Sequence, residues 1–158
     1  MTQQTTDYSL LLAQLTSIQE SERDTIANLA NAAALLYMSL DQINWAGFYL
    51  VREEQLVLGP FQGKPACVRI DFGKGVCGTA AARDTTIVVP DVHAFPGHIA
   101  CDAASNAEIV IPIHHGGRLT AVLDIDSPVY QRFTGEDRDG LERFCAILEK
   151  ACDWHCMQ

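Results

Sequence analysis

Positive charge is scarce in this chain. Its 158 residues carry 11 lysines and arginines against 20 aspartates and glutamates, a net charge of -9. So acidic a surface repels nucleic acid and anionic membranes, and no basic patch interleaved with aromatics offsets it. Long apolar runs are also missing, and the longest falls far short of a membrane span. The first ten residues, Met1 to Leu10, lack a basic segment followed by an apolar one. No secretory signal is therefore expected, and a cytoplasmic location is. Repeats and low-complexity linkers are absent. The length suits one domain over residues 1–158 with a sizeable core.

Cysteine is not scarce: Cys67, Cys77, Cys101, Cys145, Cys152 and Cys156 make six. An even count invites a disulfide scaffold, but such scaffolds are short and secreted. In a reducing compartment these thiols are core, metal-binding or catalytic. Cys145 and Cys152 read as small core residues. Cys152, His155 and Cys156 offer two thiols and one imidazole at a terminus, a weak metal set. His93, His98 and Cys101 also lack a standard metal spacing, so no metal is expected.

Helices are predicted over about Asp7 to Ile18 and Glu22 to Leu40, the second behind a capping box at Ser21-Glu-Arg-Asp24. Its apolar positions Ile26, Leu29, Ala30, Ala33 and Tyr37 keep helical spacing and predict the buried face. Asn44 to Val51 alternates as a strand, with Trp45, Gly47, Tyr49 and Val51 on one face. Trp45 and Tyr49 therefore stand side by side, as core or as a pocket wall. Further strands are predicted at Gln55 to Phe61 and at Ala66 to Ile70, the latter carrying Cys67.

Gly73-Lys-Gly-Val-Cys-Gly78 has the G-x-G-x-x-G form and leads into a helix, Val76 to Arg83, with Asp91 at a suitable distance for a ribose-binding acid. A dinucleotide fold needs repeated strand–helix–strand units, and the strands here join through short turns. The glycines are better read as a tight turn. Cys77 falls in the first helical turn, where the helix dipole is expected to lower a thiol pKa.

Pro90 to Glu108 is too long for a turn and too rich in His, Pro, Gly and small residues for a helix. Loops of this length are usually functional or disordered. Its side chains favour function, and Cys101 followed by Glu108 suggests a nucleophile with an acid. A packed loop with one buried Cys is the plainer alternative.

Glu108–His115 and Arg118–Asp126 form a hairpin. A three-residue turn pairs Ile109 with Leu123, Ile111 with Ala121 and Ile113 with Leu119, and burying that face selects this register. Glu108 then lies opposite Asp124, with Asp126 two residues along. Three carboxylates on one patch raise at least one pKa, unless the patch is simply a solvated acidic face. Thr134-Gly-Glu-Asp137 caps a last helix with the stripe Leu141, Phe144, Leu148 and Cys152. The elements suggest an α+β domain, with helices on one face of an antiparallel sheet and a loop-covered pocket on the other.

Six stretches resemble the free methionine-(R)-sulfoxide reductases, a family of small stand-alone GAF-domain enzymes. They are Asn44-Trp-Ala-Gly-Phe-Tyr-Leu50, Leu58-Gly-Pro-Phe-Gln-Gly63, Pro65-Ala-Cys67, Gly75-Val-Cys-Gly78, Gly97-His-Ile-Ala-Cys-Asp102 and Val122-Leu-Asp-Ile-Asp-Ser127. The likeness runs from about Ala33 to Leu141 and implies a GAF-like fold. It implies that Cys101 attacks free methionine-(R)-sulfoxide, that Cys67 resolves the product, and that Cys77 is a third thiol able to exchange with them. Glu108, Asp124 and Asp126 match the acids of the pocket, and Trp45 and Tyr49 its aromatics. Thioredoxin would be the reductant, a homodimer is compatible, and no cofactor is implied. Ala107 stands where a hydroxyl residue is commoner. The cysteine-rich end inherits no role.

The implied chemistry is self-consistent. A sulfoxide sulfur becomes electrophilic once its oxygen is protonated, for which Glu108 is the candidate. Cys101 attacks and becomes a sulfenic acid, a second thiol condenses with it, and an external dithiol reduces the disulfide. The remaining carboxylates can hold the substrate ammonium. Asp102 and Glu108 lie close to Cys101 in sequence, and negative charge raises a thiol pKa above about 8.5. Either backbone N–H groups offset this or the thiolate forms as the substrate takes a proton. The competing reading is a GAF module that senses a small molecule or redox state without turnover.

Overall fold

Acid–hydroxyl caps and apolar stripes set the helices. In a computed structural model describing residues 5–99 and 101–157, α1 spans Tyr8–Ile18 and α2 spans Thr25–Ser39. Asp7 and Asp24 cap them, accepting from the N–H groups of Leu10 and Ala27 at 3.0 and 2.9 Å. The cap of α2 is thus Asp24 itself, and the box expected at Ser21 does not form. The buried face of α2 is also turned from the expected one. Leu29 and Ala33 are buried, but Ile26 and Tyr37 are exposed and Leu36, Ala32, Thr25 and Asn28 take their place. Two of these are polar, which hid the stripe. They are accommodated because the Thr25 hydroxyl donates to the Asp153 carbonyl at 2.7 Å and the Asn28 amide to the Glu22 carbonyl at 2.9 Å.

The strands are β1 Trp45–Arg52, β2 Gln55–Gly63, β3 Arg69–Asp71, β4 Ile87–Val89, β5 Ala107–His115 and β6 Arg118–Ser127. They form one sheet in the order β3-β2-β1-β6-β5-β4, and every described pairing is antiparallel. The dinucleotide reading of residues 73–78 therefore has no parallel strand–helix–strand unit to rest on. Gly73 and Gly75 instead take φ of 84° and 62° in the turn between β3 and α3 (Gly75–Arg83), and a Cβ on Gly78 would strike the Asp71 carbonyl.

Three other expectations change. The strand expected over Ala66 to Ile70 begins only at Arg69, so Cys67 lies in the loop before it. Pro65 has no N–H to give a ladder, and pairing with β2 starts at Val57–Arg69. Strand β4 was not foreseen, being three residues with no alternation to read. The hairpin closes on two residues, with His115 opposite Arg118, and then shifts by one between Ile113 and His114. Beyond that bulge Ile109 pairs with Ile125, Ile111 with Leu123, and Glu108 with Asp126. This register is displaced by two from the expected one, so each side chain keeps its face while its partner changes.

One face of the sheet, with Phe48, Ile109, Ile111, Leu123 and Ile125, packs under α1, α2 and α4 (Gly135–Ala151). The other carries Trp45, Tyr49, Val110 and Val122 toward α3. Helices are thus not confined to one face; α3 belongs to the pocket side. Thr134 and Asp137 form the expected capping box on α4. Asp137 also accepts from the Tyr8 hydroxyl at 2.6 Å and pairs with Arg132 at 3.1 Å, all buried, and so ties α1 to α4. Asp137→Ala strands the buried guanidinium and should cost about 3–5 kcal/mol. Urea denaturation checks this, and a loss below 1 kcal/mol would deny the tie its role.

Candidate active site

Alternation along three central strands aims a set of side chains away from the main helical layer. Strand β1 contributes Trp45 and Tyr49, β5 contributes Glu108, and β6 contributes Asp124 and Asp126; all line one pocket. Its remaining wall comes from the first turn of α3, including Cys77, and from the 90–106 loop through His98, Cys101 and Asp102. The space, including its open mouth, is about 560 Å³.

The aromatic wall is rigid. Trp45 stacks between Tyr49 and Phe61, with centroids 6.0 and 5.2 Å away. Its indole N–H donates to the Lys64 carbonyl at 3.1 Å, and the Tyr49 hydroxyl to the Cys67 carbonyl at 2.9 Å. The second bond fixes the loop that carries Cys67.

The acids gather as the face assignment predicted. Glu108 and Asp124 are buried. Burial raises the Glu108 pKa well above the usual carboxylate range, and Asp124 and Asp126 push it further. Burial does the same to Asp126, helped by Asp124, and burial raises Asp124. The cluster therefore holds protons to higher pH than free carboxylates do. Asp124 keeps one carboxylate oxygen with no hydrogen-bond partner, a buried acceptor facing a site that can receive a ligand.

The three loop-borne cysteines divide by environment. Cys67 and Cys101 are joined in a disulfide with their Cα atoms 6.1 Å apart, across 34 residues of sequence. Cys101 is exposed and lines the pocket; Cys67 is half-buried behind it. Cys77 is buried, and its Sγ lies 3.8 Å from the Glu108 carboxyl, toward which it donates. Its expected low pKa is reversed. Burial first, then Asp124 and Glu108, raise it well above the free thiol value, outweighing the helix dipole. Cys77, Glu108 and Asp124 place donor atoms within 4.8 Å of one another, the one group among the described residues able to hold a metal ion. Cys145 is buried in the main core, and burial pushes Cys152 up to about 11, which keeps both thiols inert. His155 faces His115 with Nε2 atoms 3.3 Å apart, and the Cys156 side chain lies outside the described residues.

Two features were not anticipated from the sequence. His98 reaches within 3.9 Å of Glu108, and its pKa is lowered by burial and by His93, so the ring is neutral at pH 7. Asp102 is held by the Asn44 amide at 3.2 Å and the Ala104 N–H at 2.9 Å, with Lys64 at 3.9 Å. Its charge is thereby turned toward partners beside Cys101. Neither contact has a periodic signal, since each joins a loop residue to a distant element.

Comparison with known proteins gives the same family from three directions. The GAF domain model matches residues 14–152. A free methionine-R-sulfoxide reductase of Escherichia coli (strain K12) is 55% identical over 143 residues, covering 90% of this chain and 87% of that one. The reduced form of fRMsr of Staphylococcus aureus superposes with a TM-score of 0.93 at 53% identity, covering 96% of this chain and 98% of that one. The Neisseria meningitidis free methionine-R-sulfoxide reductase in complex with its substrate gives 0.90 at 45% identity, covering 95% and 90%.

The buried acids should leave a pH signature on folding. A carboxyl with a raised folded pKa holds a proton that the unfolded chain releases near pH 4.3. Its favourable contribution is complete below that pH and declines as pH rises toward the folded pKa. Glu108→Gln should therefore raise the thermal midpoint at pH 7.5, by about 2–4 °C per kcal/mol relieved, and leave it unchanged near pH 4. A shift equal at both pH values would mean that charge burial is not its cause.

Proposed function

Because the chain belongs to the GAF-domain family and, within it, to the free methionine-R-sulfoxide reductases, we propose how this pocket performs their reaction. The reaction reduces free L-methionine-(R)-sulfoxide to methionine. The observation that carries our assignment of roles is that one pocket is walled both by Cys101 and by a buried carboxyl cluster whose burial and mutual repulsion raise its pKa values.

In this reading the substrate methyl packs on the Trp45 ring, and its ammonium is held by Asp124 and Asp126 through charge-assisted hydrogen bonds. The partnerless oxygen of Asp124 supports that role. Glu108 is the acid, kept neutral by burial until the sulfoxide oxygen arrives. Cys77 donates toward the Glu108 carboxyl and positions it, a role its high pKa favours over nucleophilic exchange.

Attack of the Cys101 sulfur on the sulfoxide sulfur, with a proton passing from Glu108 to the oxygen, forms an S–S-bonded adduct, from which the hydroxyl passes to the Cys101 sulfur as the S–S bond and the original S–O bond both break. Methionine leaves, the oxygen stays on Cys101 as a sulfenic acid, and the Cys101 proton restores Glu108. Cys67 then displaces hydroxide from the sulfenic sulfur and water forms. The Cys67–Cys101 disulfide is the oxidised product of that step. An external dithiol of the thioredoxin class reduces it by exchange, and the exposure of Cys101 supports such access. The reading places one GAF-like domain, working as a cytoplasmic homodimer, in a compartment that keeps Cys77, Cys145 and Cys152 reduced. No helix among the described residues is long and apolar enough to cross a membrane.

Two cysteine variants separate these roles. With thioredoxin as reductant, the wild type should consume the R epimer and spare the S epimer, and Cys101→Ser should lose all turnover. Cys67→Ser should release about one methionine per enzyme in a single-turnover assay yet fail to recycle. Complete loss of that first methionine in both variants would overturn the division between attacking and resolving thiols.

A further inference from the structure

The second face of the molecule holds an electrostatic exception. The chain carries eight arginines and a net charge of -9, yet Arg52, Arg69 and Arg118 line one solvent-open groove. It lies at the end of the sheet opposite the substrate pocket, between β1, β2 and β6 and the C-terminal 3₁₀ segment Trp154–Met157. Among the described residues none of the three arginines forms an ion pair. Arg52 donates to the Val51 carbonyl at 3.0 Å and Arg69 to the Gln55 side chain at 3.1 Å, so their charge stays uncompensated. Glu53 is the one carboxylate on the described lining.

A separate observation points the same way. Trp154 is wholly buried, contributes to the groove wall, and its indole N–H has no hydrogen-bond partner. Buried donors are rarely left unpaired, so Trp154 marks a wall of the groove that is incompletely satisfied. The three guanidinium forks are all donors and offer no acceptor. Val57 and Met157 add apolar wall beside them. The His115–His155 contact, with Nε2 atoms 3.3 Å apart, holds the 3₁₀ segment against the β5–β6 hairpin and so fixes the far wall.

We infer that this groove is a binding site for a small organic phosphate, whose oxyanion is held by Arg52, Arg69 and Arg118 and whose apolar part lies against Val57 and Met157. Guanidinium forks match phosphate oxygens bidentately, and a dianion answers the local excess of positive charge. The site is independent of the substrate pocket, whose acidic lining disfavours the same ligand.

The protein reports on the groove directly, because it has only two tryptophans. In a ¹⁵N-labelled sample Trp45→Phe leaves Trp154 as the single indole N–H resonance. Phenyl phosphate should shift that resonance saturably, with sodium chloride at matched ionic strength as control. Arg118→Ala and Arg52→Ala, each in the same background, should weaken the apparent affinity about tenfold. Both positions are at the surface, and circular dichroism verifies the fold. Three results would overturn the inference: a non-saturating shift, the same shift with chloride, or unchanged affinity in both arginine variants. An unshifted resonance would also overturn it, as when another segment of the chain already fills the groove.

Discussion

Burying charge beside a pocket is costly, and the arrangement of this protein follows from how the cost is met. Glu108 and Asp124 sit on the inner strands of an antiparallel sheet, under α3 and the 90–106 loop, where water cannot solvate two adjacent carboxylates. The cluster answers by keeping protons. In the proposed reading the same residues, in two protonation states, serve both a reaction that needs a proton donor and a substrate ammonium that needs anions. The single unpartnered oxygen on Asp124 is the part of that cost which only a bound molecule removes.

The same burial sorts the thiols. Cys77 and Cys101 both face the pocket, but Cys77 sits at the base of α3 against Glu108, where a negative sulfur would meet negative neighbours. Cys101 stands on a loop at the mouth, exposed, with the charge of Asp102 taken up by Asn44, the Ala104 N–H and Lys64. Cys67 waits in an adjoining loop whose carbonyl is pinned by Tyr49, a residue that also stacks on Trp45. Through Tyr49 the aromatic wall and the Cys67 loop are thereby joined.

The two faces of the sheet differ in sign. Acids crowd the pocket side and uncompensated arginines gather at one end of the other. Strand β1 serves both, with Trp45 and Tyr49 toward the pocket and Arg52 at its far end toward the groove. Alternation alone makes this separation possible, because neighbouring side chains on a strand never share a face.

Patterns that depend on nearest neighbours along the chain were legible in the sequence. Alternation sorted Trp45 and Tyr49 from Phe48. It grouped Glu108, Asp124 and Asp126, and the Thr134–Asp137 box started α4, as found. The motif resemblance carried the family. Quantities that depend on distant chain segments were not legible. The hairpin slid by two because a two-residue turn and a one-residue bulge beside His114 together leave every side chain on its face, so hydrophobic burial could not tell the two registers apart. The buried face of α2 was misread because Thr25 and Asn28 find carbonyl partners in other segments. The Cys77 pKa went the opposite way because a helix dipole is a local effect, whereas desolvation and two carboxylates belong to the assembled site. His98 and Asn44 joined the site through loops that no period describes. Alternation along the chain fixes which strand residues share a face and so which chemistry they can perform. Tertiary structure alone decided their partners and protonation, since both depend on what removes water from around each group.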